Sequence, residues 1–156
     1  MEHTKTLPRL VEKRSFIVYI ARVIVLDSHN RVLLYKKENS NTWYIPGDIV
    51  ELGENAEETA KREVYEETNL LINEIYLFNV YFKAEQSYIY PNGDEISYVN
   101  IVLVSTNYSG NIQINGFESK EITFFNLENL PKNISQIHKL FIEDYFKNQI
   151  RGKNLI

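Results

Sequence analysis

Apolar and polar positions alternate along this chain in blocks that predict most of its elements. Residues 16–26, FIVYIARVIVL, are β-branched and aromatic and predict a buried strand. DSHN is turn chemistry, and RVLLYKK (31–37) predicts the second arm of a hairpin. TWYIPG predicts a short strand ended by Pro46 and Gly47. A helix follows: Asn55 with Glu58 three residues on fits a capping box, and Ala56, Ala60 and Val64 recur every four residues. Asn69 suits its C-terminal end, because asparagine tolerates the left-handed conformation there. Residues 72–85 and 98–108 predict two longer strands, with the Asn-Gly turn of YPNGDE between them. EITFFNL (121–127) predicts another strand. Pro131 and Asn133 then introduce a helix carrying Ile134, Ile137, Phe141 and Tyr145 on one face.

Strands before and after a helix, with a second helix at the end, predict an α+β fold: a mixed β-sheet sandwiched between helices. The 156 residues, 44% apolar and 24% charged, fit one domain with an N-terminal arm (1–14) and a core (15–148). There is no cysteine, which excludes disulfides and thiolate metal sites. No apolar run reaches the roughly 18–20 residues of a membrane span, and MEHTKTLPRLVEKR has no apolar signal core. The expected location is therefore cytoplasmic, with no membrane partner. The expected partners exclude duplex nucleic acid as well, because no basic stripe is present to replace counterions.

Charge changes the picture at one place. Residues 54–67 hold six glutamates against Lys61 and Arg62, a net −4 that equals the formal charge of the whole chain. On a helix Glu63, Glu66 and Glu67 stand at i, i+3 and i+4 and share a face, where like charges repel. A hard divalent cation with oxygen ligands relieves that repulsion. A glutamate-rich helix is more often a solvated face, so the spacing has to decide.

The spacing resembles the Nudix box, G-x5-E-x7-R-E-U-x-E-E-x-G-U with U a bulky apolar residue. Glu54, Arg62, Glu63, Val64, Glu66, Glu67 and Leu70 fall at seven of its nine fixed positions. The preceding WYIPG also resembles the family, and the order of elements matches a Nudix-like fold over about residues 15–148. The two departures are Asp48 and Asn69, which stand where the box has glycines.

The resemblance implies a divalent-metal-dependent pyrophosphohydrolase that cleaves a nucleoside diphosphate linked to another moiety, with a small nucleotide as substrate. It implies Mg²⁺ or Mn²⁺ as cofactor, held by the Gly47 carbonyl and by Glu63, Glu66 and Glu67. Arg62 would orient the glutamates and Glu54 would brace the loop–helix junction. Glu63 would act as general base, with Glu118 as the alternative. Asn69 as a helix cap is a mild change. Asp48 adds a charge beside the metal cluster, where it could ligate, repel phosphate or point away. A rival reading keeps the fold and drops the chemistry, leaving a module that binds a nucleotide or a protein.

Among other residues, Trp43 is expected to pack the sheet end, and Tyr81, Tyr88, Tyr90 and Tyr98 are as consistent with strand preference as with a base pocket. His3, His29 and His138 lack ligand spacing and are expected on the surface or on helices. The segment 72–85 is apolar on both faces, which fits burial within the fold or a homodimer contact.

Overall fold

The computed structural model describes residues 14–82, 87–114 and 119–154. The first strand, β1 (Ser15–Val25), is apolar on both sides and from Ile20 onward is largely covered on both: Ala21, Val23 and Val25 join one buried cluster, Ile24 and the adjoining Leu26 another, while Phe16, Ile17 and Tyr19 stay exposed. It runs parallel to β7 (Glu95–Ser109), from Ser15 opposite Glu95 to Val25 opposite Ser105. On its other edge it pairs antiparallel with β4 (Gly47–Ile49). Beyond β7 lies β5 (Leu71–Phe82), antiparallel and bulged at three places, which completes the order β4-β1-β7-β5. The short β6 (Tyr88–Ile89) also pairs with β7, closing a hairpin around the Asn-Gly turn, where Gly93 has a φ of 91°. The sheet is therefore mixed, as expected.

The predicted hairpin after β1 is present only at its root. Asp27 Oδ1 accepts from the backbone N–H groups of His29 and Arg31, fixing the turn, and Leu26 bridges to Val32. The arms then part. The second arm, β2 (Val32–Lys37), belongs to a separate three-stranded sheet with β3 (Trp43–Tyr44) and β8 (Ser119–Phe125). The reason is burial. Val32, Leu33, Leu34 and Tyr35 are all fully covered, with Leu33 in one cluster and Val32 and Leu34 in the other. The two edges of β1 are taken by β4 and β7, and β2 pairs instead with β8, Val32 opposite Phe125.

Two helices close the layers. The first, α1 (Ala56–Thr68), lays Ala60 and Val64 on the cluster containing Ala21, Val23 and Leu103. The second, α2 (Gln136–Asn154), lays Phe141, Ile142 and Tyr145 on the other. Ile134, expected on that helix, lies just ahead of it and is buried beside Trp43. Trp43 packs edge-on against Phe125 at 4.9 Å and serves the core. His138 sits on α2, one of the two expected placements, and is buried there, its Nδ1 accepting the Ile45 N–H at 3.1 Å. Burial drives its imidazole toward the neutral form. On β5, Leu77, Val80 and Phe82 remain about half exposed. No helix among the described residues is long and apolar enough to cross a membrane.

The short strand does stop before Pro46, as expected from sequence, but Gly47 opens a new strand, so this stretch carries the chain from one sheet to the other. Between β3 and β4 stand only Ile45, fully buried, and Pro46, whose carbonyl accepts from the Val23 N–H at 2.9 Å. This crossing places Gly47 beside α1.

Candidate active site

The N-terminal end of α1 is built from its own side chains. Asn55 Oδ1 accepts from the Glu58 N–H at 2.8 Å, and the Asn55 amide donates to Glu58 Oε1. At the other end Asn69 takes the left-handed conformation with φ 71°, and its N–H reaches the Tyr65 carbonyl. These caps fix the phase of the helix and so decide which glutamates face inward.

Arg62 gathers the carboxylates. Its guanidinium grips Glu54 with two bonds, Nε to Oε2 at 2.7 Å and Nη2 to Oε1 at 3.0 Å. Nη1 donates to Glu63 Oε1 at 2.8 Å and to Glu66 at 3.2 Å. Glu54 also accepts from the Thr59 hydroxyl and the Glu51 N–H, so the loop and the helix meet on it. The Arg62 fork holds the Glu54 carboxyl down at about 2.

Glu67, and Glu63 while still bonded to Arg62, line a cleft of about 360 Å³ together with Tyr35, Lys37, Glu38, Asn39 and Asp48. Two roomier hollows beside α2 involve no residue of the box. Glu67 is 3% exposed and its Oε1 accepts the Gly47 N–H at 2.9 Å. The Gly47 carbonyl accepts from Arg22 Nη1 at 2.9 Å. Burial raises Glu63 to about 7, with repulsion from Asp48 and Glu66 adding to it. Burial raises Glu67 to about 8 against the Gly47 N–H bond it accepts. Glu66 stays at the Arg62 side, outside the cleft lining. Glu118 lies outside the described residues.

The donor set is all hard oxygen and carries more negative charge than its cations balance, which suits Mg²⁺ or Mn²⁺. Among the described residues no three such side chains converge on a single ion position, because Arg62 draws Glu63 and Glu66 toward itself.

Three residues of this site carry no box signal. Arg22 is a lone cation inside an eleven-residue apolar strand, an anomaly that could have drawn notice. Tyr35 and Lys37 end β2, and nothing local distinguishes them.

The raised carboxyls make stability fall as pH rises. Glu63 and Glu67 bind protons more tightly in the fold than their ordinary value of 4.5 allows, so the folded chain holds extra protons between about 4.5 and 8. In chelator, the melting temperature should fall from pH 5 to pH 8.5, and divalent cation should restore it at the upper end. Glu54 acts oppositely: its contribution is present above 4.5 and is lost as pH drops toward 2. A melting temperature flat between pH 5 and 8.5 would contradict the buried carboxyl pair.

Comparison with known proteins agrees with this geometry. The NUDIX domain family model matches residues 18–145. An ADP-ribose pyrophosphatase of Methanocaldococcus jannaschii is 35% identical over 126 residues, covering 79% of this chain and 70% of that one. An uncharacterized Nudix hydrolase of Bacillus subtilis, YvcI, is 32% identical over 98 residues, 60% of this chain and 59% of its own. The fold is shared with the NUDIX domain of Shewanella oneidensis NrtR, crystallised with ADP ribose, at a TM-score of 0.68 and 17% identity over 96% of this chain and 99% of that one. This chain therefore belongs to the Nudix family and is a hydrolase of phosphoric anhydride bonds.

Proposed function

We propose that this protein is a Mg²⁺- or Mn²⁺-dependent pyrophosphohydrolase of a small nucleoside diphosphate derivative, with ADP-ribose the first candidate. The observation that carries the metal dependence is the pair of buried carboxylates, Glu63 and Glu67, on the wall of one cleft with too little positive charge beside them. ADP-ribose is favoured because the likeness to the archaeal enzyme spans 79% of the chain. A putative 8-oxo-dGTP diphosphatase of Bacillus subtilis is 48% identical but over only 48 residues.

Glu63, Glu66, Glu67 and the Gly47 carbonyl would hold the cation. When bound, it supplies positive charge and Lewis acidity at the diphosphate. Arg62 holds Glu63 and Glu66 in place through its Nη1, and its grip on Glu54 keeps the guanidinium from swinging away. Glu63, on the cleft wall beside the proposed cation, would take a proton from the attacking water. Lys37, at the cleft mouth over the Tyr44 ring, is placed to meet phosphate charge. The Gly47 carbonyl keeps a second lone pair beyond the bond from Arg22, so both roles are compatible.

The test is release of phosphate-containing products from ADP-ribose, nucleotide sugars, dinucleotides and oxidised nucleoside triphosphates, with Mg²⁺, with Mn²⁺ and with chelator. Metal-dependent turnover with ADP-ribose preferred is the expected result. Preference for an oxidised triphosphate would replace the substrate, and turnover in chelator would overturn the metal dependence.

A further inference from the structure

Asp48 stands where the family pattern has a glycine, and its backbone gives no reason for one. The described non-glycine residues with positive φ are Asn30, Asn39 and Asn69, and Asp48 pairs opposite Ala21 as an ordinary strand residue. What distinguishes the position is its side chain. Oδ1 accepts from the Ile49 N–H at 2.8 Å, which fixes the carboxylate, and Oδ2 has no hydrogen bond among the described residues. The side chain lines the same cleft as Glu63 and Glu67.

A second feature of the cleft is independent of its acidity. Tyr35 is fully buried in the cleft wall, and its hydroxyl, beside the Glu67 carboxylate, makes no hydrogen bond of ordinary length and angle. A buried hydroxyl left in this condition costs stability unless something in the cleft bonds to it. A hydrated cation brings water molecules that can do so.

We propose that Asp48 is a further carboxylate ligand of the divalent cation in this cleft, one that lets the protein hold the ion before substrate arrives. The proposal rests on the reading that Glu63 and Glu67 hold that cation. Mg²⁺ is ordinarily bound by one or two carboxylates together with substrate phosphates, so an ion without substrate is weakly held. Asp48, Glu63 and Glu67 line one cleft without converging on a single ion position in the metal-free chain, so ligation requires these side chains to turn inward, Asp48 then standing where a phosphate oxygen would otherwise complete the set. The cleft is lined by Asp48, Glu63, Glu67 and Glu38 against Lys37, a surplus of negative charge consistent with an ion resident in the free protein.

The experiment is a Mn²⁺ titration of the full chain without nucleotide, read by the loss of the free-ion electron paramagnetic resonance signal. Asp48→Asn retains an acceptor for the Ile49 N–H and removes only the charge; Asp48→Gly restores the family residue. Both should bind Mn²⁺ about 10-fold more weakly or worse, with melting curves like the parent, and should recover affinity when a nucleoside diphosphate is added. Glu67→Gln serves as the reference for the helix ligands. Equal or tighter Mn²⁺ binding by both Asp48 variants, with binding lost in Glu67→Gln, would overturn the role of Asp48 and leave the helix site standing. No binding by the parent chain would overturn both.

Discussion

Glu67→Gln should abolish hydrolysis while making the metal-free protein more stable at pH 8. Removing a residue that merely supports a metal ligand costs about 10–100-fold, so loss of a ligand itself should cost roughly 100-fold or more. The stability change runs the other way. Glu67 is 3% exposed and raised to about 8, so its ionisation opposes folding above its ordinary value of 4.5. Glutamine keeps an oxygen to accept the Gly47 N–H, the bond that ties α1 to β4. The gain should be on the order of 1 kcal/mol, a rise of about 2–4 °C for a chain of this size. Glu57→Gln, on the exposed first turn of α1, should change neither property. Retained turnover, or a lower melting temperature in chelator at pH 8, would show that Glu67 is neither ligand nor uncompensated charge.

The second large effect is expected at Gly47→Ala. An added Cβ would lie 2.0 Å from the Ala21 carbonyl oxygen and 2.8 Å from Arg22 Cα, both backbone atoms of the neighbouring strand. The φ of 138° adds strain of its own. Relief requires β4 to leave β1, which would also part Gly47 from Glu67 and Arg22. The loss should exceed about 4 kcal/mol, in the range reserved for a named steric fault. Gly53→Ala separates the two causes. Its φ is 85°, but nothing lies within 4 Å of an added Cβ, so it should cost only about 1 kcal/mol. Denaturant unfolding of the two variants checks this, and similar losses in both would remove contact as the explanation.

How far the chain could be read from its sequence depended on the distance between cause and effect. The ends of α1 were legible because Asn55 and Asn69 act within four residues, on Glu58 and Tyr65. The acidic face was legible because its spacing is that of one helix. The parting of β1 from β2 was not, since β2 pairs with β8, far along the chain, and packs in a cluster that includes Ile142 and Tyr145. Arg22 and Tyr35 were missed for the same reason: their places beside Gly47 and Glu67 are set by the meeting of sheets and helix. The glycine requirement was expected at the box position of Asp48 and falls one residue earlier, where the crossing strand approaches Ala21.

That crossing has a further consequence. Ile45 and Pro46 are the whole of that one crossing between the sheets, and the Gly47 beyond them is the backbone the helix carboxylate holds. The seam of the fold and the floor of the cleft are thus one stretch of chain. A slip of one sheet against the other, too small to expose much core, would pull Gly47 away from Glu67 and scatter the site. On heating, hydrolysis should fade before the far-ultraviolet signal of the strands does, making turnover a gauge of how well the sheets stay docked.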